Sequence, residues 1–139
     1  MRRADGSQQG ASAVEFALLA PLFVALLFGI VEFGSVIYTK GMLTHASREG
    51  ARFGVVYTIP RRSAAEIQAI VRNYLDTTGL TNPATVAVTG AGGASESQLT
   101  VRVNYAYNFV VLSSVVNAFF GGTLPTSIDL TATTVMIME

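Results

Sequence analysis

Two carboxylates interrupt the most apolar part of the chain. Glu15 and Glu32 flank Phe16 to Val31, which reads FALLAPLFVALLFGIV without a charge. An ionised side chain in such a helix costs roughly 3 kcal/mol at a bilayer centre, so it needs a partner or a polar boundary. The chemistry open to these acids is charge pairing and interface placement. On a helix their 17-position separation spans about 25 Å. A hydrocarbon core is about 30 Å thick, so the two can occupy opposite interfaces. Glu32 therefore reads first as a boundary marker. The sharper alternative is an intersubunit contact with Lys40, Arg48 or Arg52 of a neighbouring copy.

Catalysis finds no comparable grouping. His45 is the sole histidine, and there is no cysteine to act as nucleophile, thiolate ligand or disulfide partner. Asp5 and Glu15 lie near the amino terminus, while Asp76, Glu96 and Asp129 fall on different elements. No glycine-rich phosphate loop follows a strand, because Ala91 to Ala94 reads as a turn. Ligand clusters with metal spacing are absent from the sequence. No enzyme activity, cofactor or metal is expected, and a membrane-tethered enzyme stands only as a remote third reading.

The elements around the acids follow from composition. The 139 residues suit one domain. Half are hydrophobic and only 13% are charged, against roughly 25% charged in a soluble domain. Mean hydropathy is +0.47. Some apolar surface must then face lipid or another subunit. Zero formal net charge argues against nucleic-acid binding. The apolar run continues through FGSVIYT after Glu32, longer than the ~7–15-residue core of a signal peptide. It reads as one transmembrane helix, roughly Ala13 to Thr39. Small residues at Ala13/Ala17 and Ala25/Gly29 permit close helix approach, and Pro21 permits a kink. Arg2 and Arg3 favour a cytoplasmic amino terminus, whereas Lys40, Arg48 and Arg52 pull the opposite way.

Ahead of the helix, Gly10-Ala-Ser-Ala-Val-Glu15-Phe16 has the form G-x-x-x-x-E-[FY] after a polar, basic head. It resembles the processing site of prepilins of the Flp/Tad class. VEFALLAPLFVALLFGIVEFG, with ASREGARFG from Ala46 to Gly54, resembles TadE-like pseudopilins over about the first 55 residues. The resemblance implies cleavage by a prepilin peptidase between Gly10 and Ala11, making Glu15 the fifth residue of the mature chain. It also implies that Glu15 pairs with the terminal amine of a neighbouring subunit as helices pack. Read from the residues alone, Glu15 can instead sit at the cytoplasmic interface and snorkel. Tad major pilins resemble a bare helix, so a chain with a head resembles a minor subunit.

Helix is expected to continue from Lys40 to about Val56, with Leu43, Ala46, Gly50 and Phe53 as a packing stripe. Arg48 and Arg52 share one face, either solvated or facing acidic headgroups or a partner carboxylate. Gly41, Gly50 and Gly54 each weigh against that helix by roughly 1 kcal/mol relative to alanine. After Ile59-Pro60, Ser63-Ala-Ala-Glu66 is a capping box opening an amphipathic helix with Ile67, Ile70, Val71, Tyr74 and Leu75 on one face. Gly79 is its natural stop. Thr85 to Thr89, Leu99 to Phe109 and Ile128 to Ile137 alternate with period two and predict strands. Val110 to Phe120, before Gly121-Gly122, reads as a short helix completing the core or as an exposed patch that docks on a neighbour or a membrane surface.

The expected fold is α+β: a long amino-terminal transmembrane and stalk helix, then a small head with one helix and a three-stranded antiparallel sheet. The expected division is a leader at 1–10, a transmembrane helix at 11–39, a stalk extension and linker at 40–62, and a head at 63–139. A fragment from near Ser63 is expected to fold unless the stalk belongs to the head's core. The favoured function is a processed minor pilin or pseudopilin supporting pilus biogenesis, adhesion or secretion. Its residues are Gly10 and Ala11 for processing, with Glu15, Phe16, Pro21 and Glu32 for assembly. The resemblance implies other pilin subunits, a prepilin peptidase, inner-membrane assembly machinery and the lipid bilayer as partners. It also implies a single-pass bacterial inner-membrane location with the head outside the cytoplasm, and possible incorporation into an extracellular pilus. The alternative is an unprocessed single-span anchor whose head binds a partner in a secretion or envelope complex.

Overall fold

Leucine, alanine, phenylalanine and valine fill the chain after Glu15 with few helix breakers. In the computed structural model they form one helix, α1, over Asp5–Val55. The structure describes residues 5–80, 84–121 and 125–139; Arg2, Arg3 and Gly122 lie outside them. At 51 residues, α1 is about 77 Å long, well beyond the span of a hydrocarbon core. The helix passes through Pro21, whose missing N–H removes one ladder bond that the rest of the helix tolerates. Stalk and apolar run thus fall on one continuous helix, as the spacing predicts.

α2 (Ala64–Thr77) starts where the capping box requires it. The Glu66 N–H donates to Ser63 Oγ at 3.3 Å, and the Ser63 N–H and hydroxyl each donate to Glu66 Oε2 at 2.8 Å. The Ser63 backbone bond, then its hydroxyl, hold the exposed Glu66 carboxyl below the usual carboxylate range, with Arg62 a lesser contributor. Ile67, Val71 and Leu75 are buried, while Ile70 and Tyr74 are half-buried. Gly79 follows the helix at φ 75°, the left-handed turn that glycine adopts without strain.

The sheet is antiparallel in the order β1-β2-β3, with β1 at Thr85–Thr89, β2 at Gln98–Asn108 and β3 at Ser127–Ile137. Along β2 the alternation buries Leu99, Val101, Val103, Tyr105 and Tyr107, so one face carries the core. Val103 sits opposite both Val86 and Ala132 in the register. The β1–β2 turn requires Gly90: at φ 85° a Cβ there would lie 2.1 Å from the Gln98 carbonyl oxygen.

Two compact units divide the chain. One comprises Val36–Asn108 and Ser127–Glu139. Its core joins Leu43, Ala46 and Ala51 of α1 with Ile67, Val71, Leu99, Val101 and Met138. Gly50 and Gly54 make this packing possible. A Cβ on Gly50 would meet Val71 Cγ2 at 2.3 Å, and one on Gly54 would meet Leu99 Cδ2 at 2.5 Å. The expected stripe is therefore real at Leu43, Ala46 and Gly50, whereas Phe53 is half-buried and stacks under the Arg62 guanidinium at 4.5 Å. Buried Ser47 adds a 2.8 Å hydroxyl contact to Thr134, and the Lys40 ammonium donates to the Thr131 carbonyl. The stalk thus supplies buried residues to the same unit as the sheet.

The other unit comprises Met1–Ser35 and Phe109–Thr126. Its second segment holds α3 (Leu112–Phe120), which ends on Gly121 at φ 61°. The Phe109 N–H donates to the Thr126 carbonyl at 2.9 Å, closing the excursion at its base. The short helix expected at Val110 to Phe120 is present, grouped with the first half of α1.

Candidate functional site

The amino-terminal motif lies on α1. Gly10, Ala11 and Glu15 are exposed, and a Cβ at Gly10 would meet nothing within 4 Å. Phe16 is 73% exposed. Beyond it, Leu18, Leu22, Leu26, Ile30, Phe33 and Ile37 all remain exposed, so the apolar run is uncovered within this chain. Among the described residues, one helix is long and apolar enough to cross a membrane, within Gly10–Val55. Pro21 is half-buried in its first third.

Glu32 differs from Glu15 in every respect. It is 4% exposed. Its Oε1 accepts the Val110 N–H at 3.1 Å, and its Oε2 accepts those of Val110, Val111 and Leu112 at 3.2, 3.1 and 3.3 Å. These amides lead into α3, which starts at Leu112 and whose cap residue Val111 makes no side-chain bond. The first amides of a helix have no internal acceptor. A carboxylate there is also favoured by the helix dipole. The acid buried in the apolar part of α1 is thus satisfied by backbone dipoles of the same chain.

Phe28, Val31, Ser35, Val110 and Val111 line a small apolar recess around Glu32. Arg48 and Arg52 are exposed on α1. The structure therefore brings Glu32 to α3 and leaves Gly10, Glu15, Arg48 and Arg52 at the surface. Sequence reasoning missed the Val110–Leu112 amides. The available signal was indirect: a helix start with valines where a capping side chain belongs, and an acid set within an apolar helix. Among the described residues no group of three or more His, Cys, Asp or Glu side chains is placed to hold a metal ion.

Residues 10–52 match the TadE family model, described as TadE-like protein. No curated protein and no solved structure matches the chain significantly. The match begins at Gly10 and covers the apolar run, Glu15, Glu32, Arg48 and Arg52. The segment is TadE-like, as the resemblance read from its residues has it.

Proposed function

We propose that the chain is a minor pilin or pseudopilin of a Tad (Flp) type IV pilus system. In this reading a prepilin peptidase removes residues 1–10, α1 spans the inner membrane, and the mature subunit assembles with other pilins. The observation that carries the reading is the TadE-like match, which opens on Gly10 and runs along the uncovered apolar helix. TadE-like proteins are structural pilus components, which accords with a chain whose acids serve pairing and placement.

α1 supports the proposed steps physically. Its apolar face, uncovered within the chain, suits lipid first and neighbouring helices after extraction. Glu15 is exposed on the helix, where the amine of a neighbour's Ala11 can reach it. Phe16 and Pro21 belong to the same packing surface, with Arg48 and Arg52 available to acidic headgroups or a neighbour's carboxylate. The head, outside the cytoplasm, presents the sheet to partners in pilus biogenesis, adhesion or secretion.

Intact-mass analysis of protein extracted from membranes of a host with the peptidase tests the first step. A mature chain beginning at Ala11 is expected. Full-length protein alone, at normal abundance, overturns processing and favours the single-span anchor.

A further inference from the structure

α3 is capped from another helix. The chain enters it through Val110 and the cap residue Val111, which makes no side-chain cap bond, and the acceptor for the amides of Val110, Val111 and Leu112 comes from Glu32. In water, amides at a helix start are readily hydrated. In hydrocarbon every backbone donor must find its acceptor inside the protein. The arrangement suits a helix start held away from water.

The position of Glu32 gives the depth. Ile30 and Phe33 on either side of it are 63% and 70% exposed, so amides bonded to Glu32 share the depth of lipid-facing residues. With Glu15 at one interface, Glu32 lies about 25 Å further along α1, short of the ~30 Å needed to clear the hydrocarbon. The connection between β2 and β3 matches that depth in chemistry. No charged residue occurs between Arg102 and Asp129, and Val110 is 76% exposed. With nine residues, α3 is about 14 Å long and too short to cross a bilayer.

We propose that residues 109–120 form a second membrane-contacting element, seated at acyl-chain depth in the leaflet at the carboxyl-terminal end of the α1 span. The occupant of the apolar surface formed by exposed Val110 and half-buried Leu112, Val115 and Val116 is the lipid bilayer. Continuity favours lipid over a second copy, because the exposure at Val110 extends the uncovered belt of α1 through the Glu32 bonds. Glu32 then tethers the re-entrant segment and keeps its amides satisfied without water. The proposal rests on α1 being a span.

The chain has no tryptophan, so a single introduced one reports from one site. Full-length Val110→Trp, Leu26→Trp and Ala94→Trp variants are reconstituted into phosphatidylcholine–phosphatidylglycerol vesicles with acyl chains brominated at shallow or deep positions. Leu26→Trp reports the span, and Ala94→Trp reports the exposed β1–β2 turn. The expected result is quenching of Val110→Trp comparable with Leu26→Trp, stronger from shallow bromines, with Ala94→Trp unquenched. Ala118→Trp, at an exposed α3 position, repeats the measurement should Val110→Trp fail to insert. Quenching at Leu26 without quenching in α3 overturns the proposal and leaves the span intact. Blue-shifted α3 emission would then assign the surface to another copy, and red-shifted emission to water. Absence of quenching at Leu26 as well as in α3 overturns both readings.

Discussion

Glu32 holds the amide of Val110 between its two carboxylate oxygens, at 3.1 and 3.2 Å, across 78 positions of sequence. The bond answers two needs of the chain together. An acid buried on an apolar helix acquires donors, and a helix with valine at its cap acquires an acceptor. Val31 and Phe33 flank the acid, and Val110 and Leu112 flank the cap.

Glu32→Ala should therefore loosen α3 before it disturbs the sheet. A buried donor left without an acceptor costs about 1–3 kcal/mol, and about 1.4 kcal/mol is tenfold in an equilibrium. Hydrogen exchange of the full chain in detergent should accelerate about tenfold or more at Val110–Leu112. Amides of β2 should keep their protection. Glu32→Gln retains one carbonyl oxygen and should fall between the two. Unchanged exchange at Val110–Leu112 in Glu32→Ala would show that the cap adds no stability.

The glycines of the stalk give a second, opposite-signed pair of outcomes. Alanine is favoured over glycine in a helix by roughly 1 kcal/mol. At Gly50 the added methyl would collide with Val71, and at Gly54 with Leu99 and Ile67. Overpacking of this kind costs about 1–3 kcal/mol. Gly50→Ala and Gly54→Ala should therefore lower the denaturation midpoint of the head. A Cβ at Gly41 meets nothing within 4 Å, so Gly41→Ala should raise the midpoint or leave it unchanged. A higher midpoint for Gly50→Ala would mean that α2 can draw back from α1 at little cost.

The parts legible in the sequence are those whose signals are local. Ser63 and Glu66 announce α2 within one turn, and the alternation from Leu99 to Tyr107 predicts both β2 and its buried face. The strand ends shift by one residue: β2 takes Gln98 and stops before Phe109, and β3 takes Ser127. The Glu32–α3 relation was not legible, because it joins segments 78 positions apart and uses backbone donors that any residue supplies. Gly54 read only as a helix-weakening residue, and Gly50 as that as well as part of the packing stripe, since the close approach of α2 and β2 side chains to them is not a local signal. The stalk's share of the head's core was open in the sequence: the Leu43 stripe pointed to packing, but not to which strands and helix it meets.

That share predicts where a fragment can begin. Val36–Glu139 retains Leu43, Ala46, Ser47 and Ala51, all fully buried. It should melt cooperatively by circular dichroism, in mild detergent where residues 109–120 require it. Ser63–Glu139 loses those side chains and exposes the face carrying Leu99, Val101 and Val103. It should be disordered or aggregate. Cooperative melting of the shorter fragment at a similar midpoint would show that α1 adds nothing to the core.

Glu15 offers the test that separates assembly from anchoring. It is exposed on α1, so its replacement removes no packing within the chain. Glu15→Ala or Glu15→Gln should insert into membranes as well as the parent chain, because a span does not need the acid. Assembly should suffer, since the amine of a neighbour's Ala11 would enter the helical core unpaired. Breaking one side of a buried pair costs about 3–5 kcal/mol, enough to shift polymerisation a hundredfold or more. Glu15→Asp should give a smaller defect, its carboxylate reaching one methylene less far. The measurement is incorporation into filaments or assembly complexes in cells, with membrane level and cleavage after Gly10 followed in parallel. Normal incorporation of Glu15→Ala, with cleavage intact, would reduce Glu15 to an interface marker and leave the single-span anchor as the better reading.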